Sequence, residues 1–168
     1  QFILSCFSIL TEKFDNVYLE LAGEGKYYKR VQDEAKTLRC RKRVIFHPWI
    51  DPENIPGHLS NIDIGLLPLI QNSCFNKAKS PTKLFEYMAM SKPVISSNIG
   101  EAKNIIRHGQ TGFLAKDREE FVSYMCELVK NPQLRQEIGK KARVDVCEYY
   151  SLRVLEKRLY EILSRLSA

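Results

Sequence analysis

The residues best suited to chemistry lie at the start of one short segment that is typical of a helix. Ser80 is a favourable N-cap and Pro81 a favourable first helical residue, so the sequence predicts a helix over 82–90. Free backbone amides at such a start, with the positive end of the helix dipole behind them, can bind an anion. Lys83 adds a positive charge, and Glu86 follows on the same face. The pattern predicts an anion-binding site, with an ordinary Lys83–Glu86 surface pair as the alternative.

Other residue types suggest less chemistry. His47 follows a predicted strand and could face a cleft, although a capping or surface role is favoured, and His58 and His108 are typical of a helix and a turn. The chain has no HExxH motif, no P-loop and no Ser-His-Asp order with elbow glycines. Its five cysteines include no CxxC pair, which favours reduced thiols in a cytoplasmic protein over a zinc site or disulfide frame.

Composition limits the class of protein. The chain has 168 residues, 44% of them hydrophobic and 27% charged, as expected for one globular domain with a sizeable core. No apolar run approaches the roughly 18 residues of a membrane span. The net charge of +6 favours an anionic partner such as nucleic acid, acidic lipid or a phosphate-bearing ligand, or a solvated basic surface. The basic segments lack the interleaved aromatic residues of a single-strand binder.

Strand-like and helix-like segments alternate along the chain. The predicted strands are 17–22, 44–46, 62–67, 93–96 and 111–115. The predicted helices are the opening segment, 25–38, 51–59, 82–90, 101–107, 117–130, 132–147 and 151–166, with Asp51, Asp117, Asn131 and Ser151 as caps and 71–79 as a polar loop. This order predicts an α/β fold whose five-stranded parallel sheet has helices on both faces, with the 93–96 strand inside it. Ligands then bind in the loops after the strands: 23–26, 47–51, 68–82 and 97–101.

Two smaller expectations concern packing. Asp63, inside the apolar IDIGLL segment, is predicted to cap a neighbouring backbone group. Helix-core residues are predicted for the aromatic pair Tyr149–Tyr150 and for the apolar residues of the last helix: Leu152, Leu155, Leu159, Ile162 and Leu163.

The string SPTKLFEYMAMSKPVISSNIGEAKNIIRHGQTGFLA (80–115) resembles the nucleotide-sugar-binding half of retaining GT-B glycosyltransferases, the glycosyl transferases group 1 family. The similarity extends to LAGEG (21–25), VIFHPWI (44–50), IDIGLLP (62–68) and the helical tail. The 80–115 segment is specific, whereas LAGEG alone would be weak. The resemblance implies a Rossmann-like sheet with helices on both faces, the C-terminal half of a GT-B fold.

The resemblance also implies roles for single residues. Glu86 matches a carboxylate that holds the ribose hydroxyls of the donor, and the amides of Thr82 and Lys83, next to Ser80, match those that meet the diphosphate. Trp49 and Ile50 match the segment whose backbone reads the base. Glycines match turns at the mouth of the cleft: Gly23, Gly25 and Gly100.

Some positions depart from the family pattern. The first Glu of the family's pair, which touches the donor hexose, falls on Ala78, and Glu101 and Asn104 replace a Gly and a Glu. The family's strand with the Arg and Lys that clamp the diphosphate has no counterpart before Phe14. The expectation is therefore a single donor-nucleotide domain over 1–168, a fragment of a two-domain enzyme without its first strand and its N-terminal acceptor domain.

The resemblance implies an enzyme that moves a hexosyl group from a nucleoside diphosphate sugar to an acceptor hydroxyl with retention, in polysaccharide or glycoconjugate synthesis. The fragment alone is expected to be inactive and to hold no catalytic residue. No cofactor, metal or nucleic acid is expected. The parent is expected in the cytoplasm, with peripheral association with the inner membrane face left open. A nucleotide-sugar epimerase of the same architecture and an inactive nucleotide-sugar-binding module are the alternatives, and Ala78 favours the latter.

Overall fold

The computed structural model describes residues 1–69 and 73–166. The strands in these ranges are β1 Leu19–Ala22, β2 Val44–His47, β3 Gly65–Leu67, β4 Val94–Ser97 and β5 Gly112–Ala115. The helices are α1 Phe2–Thr11, α2 Tyr28–Lys36, α3 Ile55–Ser60, α4 Cys74–Ala78, α5 Thr82–Ala89, α6 Ala102–Ile105, α7 Arg118–Lys130, α8 Pro132–Tyr149 and α9 Leu152–Leu166. The predicted α/β alternation is confirmed.

Every strand pairing is parallel. β1 pairs with β2 from Leu19 opposite Val44 to Ala22 opposite His47. β4 lies between β3 and β5, so the 93–96 strand is internal, as predicted. Helices flank both sheets, in agreement with the expected fold class.

The prediction of one continuous five-stranded sheet is wrong for the described residues. β1 and β2 form one sheet, and β3, β4 and β5 form a second. β1 and β3 both line a groove of about 1260 Å³. Strands must lie about 4.8 Å apart to hydrogen-bond, so this open groove explains why β1 and β3 do not pair.

Two clusters of buried side chains hold the layers together. In the first, α1 and α7 pack against the strands, and the fully buried residues include Leu4, Phe7, Ile95, Phe121 and Leu128. Burying each such side chain contributes roughly 1.5–3 kcal/mol.

The second cluster lies beneath α5, α6 and α8. Its members include Leu84, Met88, Val94, Ile105 and Ala142. Since Leu84 and Met88 are fully buried, the apolar face of α5 fixes the direction in which its polar face points.

The bounds of several helices and loops differ from the predicted bounds. The predicted helix over 51–59 divides into a 3₁₀ turn, Pro52–Asn54, and α3, because Pro56 in the first turn of α3 lacks an amide that could continue one helical ladder. Asp51 makes no side-chain cap there. The predicted loop over 71–79 contains the short helix α4, which Ser73 caps by accepting a 3.2 Å hydrogen bond from the Asn76 amide. Positions 71 and 72 of that predicted loop lie outside the described residues.

The prediction of core residues on the last helix is wrong. α9 has no buried residue within its described range, and Leu152 and Leu159 are 86% and 57% exposed. Its apolar periodicity predicts a covered face, but only α8 makes more than slight contact with α9 among the described elements. No helix in the described ranges is both long enough and apolar enough to cross a bilayer.

Candidate functional site

The groove between β1 and β3 brings together six of the nine predicted binding residues. Gly23 follows β1, Trp49 and Ile50 follow β2, and three residues come from α5: Thr82, Lys83 and Glu86. The first three lie after the carboxyl ends of parallel strands, where the topology predicts a ligand. Ser80, Gly25 and Gly100 do not line this groove.

The start of α5 differs from the predicted start by one residue. Pro81, not Ser80, is the N-cap, and its ψ of 67° is not helical, so the helix begins at Thr82. The Ser80 side chain is exposed and makes no cap, while the Ser80 carbonyl accepts a 3.1 Å hydrogen bond from the Thr82 amide. The Lys83 amide has no hydrogen-bond partner among the described residues. One amide at this helix start is therefore available to an anion.

The two charged side chains of α5 are both exposed on the groove side. No salt bridge or hydrogen bond joins the side chains of Lys83 and Glu86, whereas other lysines and glutamates, such as Lys141 and Glu137, pair closely. The surface pair that was the alternative interpretation does not form. Among residues 1–69 and 73–166, the ammonium of Lys83 and the carboxylate of Glu86 on this helix face therefore have no charged partner.

Tyr87 and Gly65 position α5, and the sequence interpretation did not include them. A Cβ at Gly65 would lie 2.4 Å from Cγ of Tyr87, so only glycine lets this ring lie against β3. Burial, and then the negative charge of Glu86, raise the pKa of Tyr87. A glycine inside a strand pattern, which often marks a close approach, was the available signal.

The predicted Gly-acid-Gly turn leads out of β1 into the mouth of the groove. Gly23 and Gly25 have φ values of 132° and 141°, which other residues rarely adopt. The carboxylate of Glu24 between them accepts a 3.4 Å hydrogen bond from the Trp49 amide. This contact links the turn after β1 to the loop after β2. Gly25 contacts the start of α2, since its carbonyl accepts a 3.0 Å hydrogen bond from the Tyr28 amide.

Gly100 lies against α4 rather than in the groove. Its φ is 62°, and a Cβ there would lie 2.6 Å from the carbonyl oxygen of Asn76. The structure therefore gives Gly100 a packing role beside α4.

Arg135 is a groove residue that the sequence interpretation missed. Its guanidinium donates to the carbonyls of Leu128 and Val129 at 2.7 and 3.1 Å, at the end of α7, and lies 3.8 Å from the Asp63 carboxylate. The predicted backbone cap by Asp63 is not found among the described residues: the side chain is 79% exposed and lies before β3.

Residues 1–145 match the family glycosyl transferases group 1. The chain belongs to this glycosyltransferase family. Its curated relatives include an N-acetyl-alpha-D-glucosaminyl L-malate synthase of Bacillus anthracis, 28% identical over 89% of this chain and 38% of the relative. A glycosyltransferase EpsD of Bacillus subtilis, described as putative, is 26% identical over 92% of this chain and 39% of the relative. The chain thus spans about two fifths of the length of these relatives.

Solved structures show the same fold. Anabaena HepE, crystallised with UDP and glucose, superposes with a TM-score of 0.82 at 19% identity, over 98% of this chain and 44% of HepE. The C-terminal domain of a glycosyl transferase group 1 protein, LpcC of Francisella tularensis, gives 0.76 at 21% identity, over 90% of this chain and 78% of that one. The fold of this family member is therefore that of C-terminal GT-B glycosyltransferase domains.

Proposed function

We propose that this family member is the donor-nucleotide-binding domain of a two-domain glycosyltransferase. The parent would move a hexosyl group from a nucleoside diphosphate sugar to an acceptor hydroxyl with retention, in polysaccharide or glycoconjugate synthesis. The observation that carries the proposal is that Lys83 and Glu86, which do not pair with each other, line one groove with the loops after β1 and β2. HepE, crystallised with UDP and glucose and also with UDP-glucose, supports this ligand class.

Each groove element has a distinct part in donor binding. The carboxylate of Glu86 can accept both hydroxyls of a ribose diol. The amide and ammonium of Lys83, at the positive end of α5, can neutralise the diphosphate, whose charge grows as it leaves the sugar. The loop at Trp49 and Ile50 would meet the base. On this proposal the transfer uses no metal, because the helix start and cations stabilise the leaving diphosphate.

The groove also supports the proposal of a missing strand. β1 and β3 both border the groove, with edges that carry no described strand. One further strand between them would join the two sheets and satisfy both edges. The donor would then bind beyond the carboxyl ends of the strands, where Gly23, Trp49 and Ile50 lie. We propose that another part of the full-length protein supplies this strand, together with the acceptor domain. We also propose that the full-length protein is cytoplasmic and has no nucleic-acid partner.

Glu86→Gln in the full-length protein tests the ribose assignment. The amide keeps the shape of the side chain but loses the charge and part of its acceptor capacity. We expect donor affinity to fall about ten- to a hundredfold, which corresponds to roughly 1.5–3 kcal/mol. Calorimetry with UDP, GDP and their sugars measures this. Glu148→Gln, at an exposed position of α8 away from the groove, is the matched control.

Lys83→Ala tests the diphosphate assignment. Affinity for nucleoside diphosphates should fall and become less dependent on salt, while affinity for the nucleoside should barely change. Lys103→Ala on α6, which is exposed and outside the groove, is the control.

Unchanged donor affinity in Glu86→Gln would refute the ribose assignment. Donor binding without transfer by the full-length protein would favour the inactive module, and epimerised donor would favour the epimerase.

A further inference from the structure

A second cluster of polar side chains lies where β1, β2 and α3 meet. Nε2 of His47 lies 2.8 Å from Oε2 of Glu20, and Nε2 of His58 lies 3.8 Å from the same oxygen. One ligand atom from each of the three residues lies within 4.8 Å of the other two. Three groups that can donate an electron pair therefore converge on one point.

Sheet register explains why the cluster forms. Glu20 pairs with Ile45, and Ala22 pairs with His47, so the side chains of Glu20 and His47 project from the same face of the two-stranded sheet. His58 reaches this face from α3, and its ring lies edge-on to that of His47 with 4.9 Å between centroids. Residues 38 positions apart in sequence thus meet through tertiary packing.

The donor set is one that proteins use for zinc. Two imidazoles and one carboxylate bind Zn²⁺ at about 2.0–2.2 Å, which places neighbouring ligand atoms about 3.3–3.5 Å apart. The separations of 2.8 and 3.8 Å between the Glu20 oxygen and the two imidazoles bracket this spacing. The two imidazole ligand atoms lie within 4.8 Å of each other, so rotation of the rings would bring all three atoms to this spacing. Two histidines and one carboxylate leave a fourth position for water.

Exposure of the three side chains also fits a metal. Their exposed fractions are 29% for Glu20, 32% for His47 and 20% for His58. An ion can therefore enter from solvent, while the site remains sheltered enough to hold the ligands in place. No lysine or arginine side chain pairs with Glu20 among the described residues, so its charge is not already neutralised by a fixed cation.

We propose that Glu20, His47 and His58 form a binding site for a zinc-class divalent metal ion. The ion would join β1, β2 and α3, and so would stabilise the part of the fold that borders the groove. This proposal does not rest on the proposed glycosyl transfer, which uses other residues. A hydrogen-bonded Glu20–His47 pair without metal affinity is the competing explanation.

Cobalt titration tests the proposal directly. The protein is first stripped with a chelator, in a Cys74→Ser, Cys147→Ser background, because these exposed free thiols could bind metal themselves. We expect one equivalent of Co²⁺ to produce saturable visible absorption, which Zn²⁺ then displaces. An excess of Zn²⁺ of about a hundredfold over its dissociation constant should raise Tm by at least about 5 °C.

Variants separate this site from adventitious binding. His58→Ala, His47→Ala and Glu20→Gln should each weaken Co²⁺ and Zn²⁺ binding by more than about a hundredfold. His108→Asn should bind like the parent, since His108 lies in the turn before β5 and accepts the Leu114 amide there. The Tm of each variant without metal shows whether the variant folds. If an alanine variant does not fold, Glu20→Gln, which preserves the shape of the side chain, still tests the site. Absence of saturable binding, or equal affinity in the His47, His58 and His108 variants, would overturn the proposal.

Discussion

At Gly65 the missing side chain lets an aromatic ring reach the sheet. Gly65→Ala would place a methyl group 2.4 Å from Cγ of Tyr87, so the ring and α5 must shift. We expect the free energy of unfolding to fall by about 1–3 kcal/mol, and donor affinity to fall with it, because Lys83 and Glu86 move with α5. Chemical denaturation and nucleotide titration measure the two effects.

Gly57→Ala is the matched control for that substitution. Gly57 is exposed in α3, and a Cβ there would meet no atom within 4 Å. Alanine should raise stability by up to about 1 kcal/mol, since it favours helix more than glycine does. If Gly65→Ala were as stable as Gly57→Ala, the close approach of Tyr87 to β3 would be incorrect.

Some basic side chains have partners within the protein, and Lys83 has none in the described ranges. Arg43 donates to the carbonyls of Phe14 and Thr11 at 2.7 and 3.4 Å, beside the end of α1, and Arg107 pairs with the buried Asp145. Lys83 has no such partner among the described residues. Net charge by itself therefore indicates little about binding, because several cations are already bound to the protein's own backbone and carboxylates.

Helix caps determine where α7 and α8 begin. The Asp117 carboxylate accepts the Glu120 amide at 2.8 Å, and the Glu120 carboxylate accepts the Lys116 amide at 2.9 Å. We expect Asp117→Ala to lower the free energy of unfolding by about 0.5–2 kcal/mol. Thermal denaturation checks this.

Asp117→Asn separates the cap from its charge. Asparagine still accepts the Glu120 amide, so most of the stability should be retained. Asn131→Ala, which removes the 3.0 Å cap to the Leu134 amide at the start of α8, should cost a similar amount. Equal losses in Asp117→Ala and Asp117→Asn would show that helix-dipole charge, rather than the hydrogen bond, is responsible.

For the molecule as a whole, α9 contributes little to the buried core. Because none of its described residues is buried, removal of the chain after Ser151 should change Tm by only a few degrees. The deletion should also reduce self-association, since it removes the exposed apolar face of α9, and such faces favour association. Calorimetry and sedimentation measure the two results.

A longer deletion gives the contrast. Removal from Pro132 onward also takes away Ile138, Ala142 and Val146, which are buried in α8. That deletion should leave the protein unfolded or strongly destabilised. A large loss of stability from removal of α9 alone would mean that its apolar face packs against this chain after all.

Local sequence patterns were sufficient for the fold class, and the family resemblance indicated much of the groove. Strand and helix alternation predicted parallel sheets flanked by helices, and caps such as Asp117 and Asn131 were correct because a cap depends on residues three positions apart. Six of the nine residues that the family resemblance indicated meet in one groove. These residues lie close together because the carboxyl ends of parallel strands lie at one edge of a sheet.

Only the tertiary structure decided what depends on contacts between distant segments. Sheet continuity depends on whether a strand lies between β1 and β3, and no local pattern shows this. Gly65 lies against Tyr87, and Gly100 lies against Asn76, across 22 and 24 positions of sequence. Glu20 meets His47 and His58 across 27 and 38 positions. The periodicity of α9 predicted a covered face, but periodicity states only that a face is apolar. Whether that face is covered depends on the packing of the whole molecule.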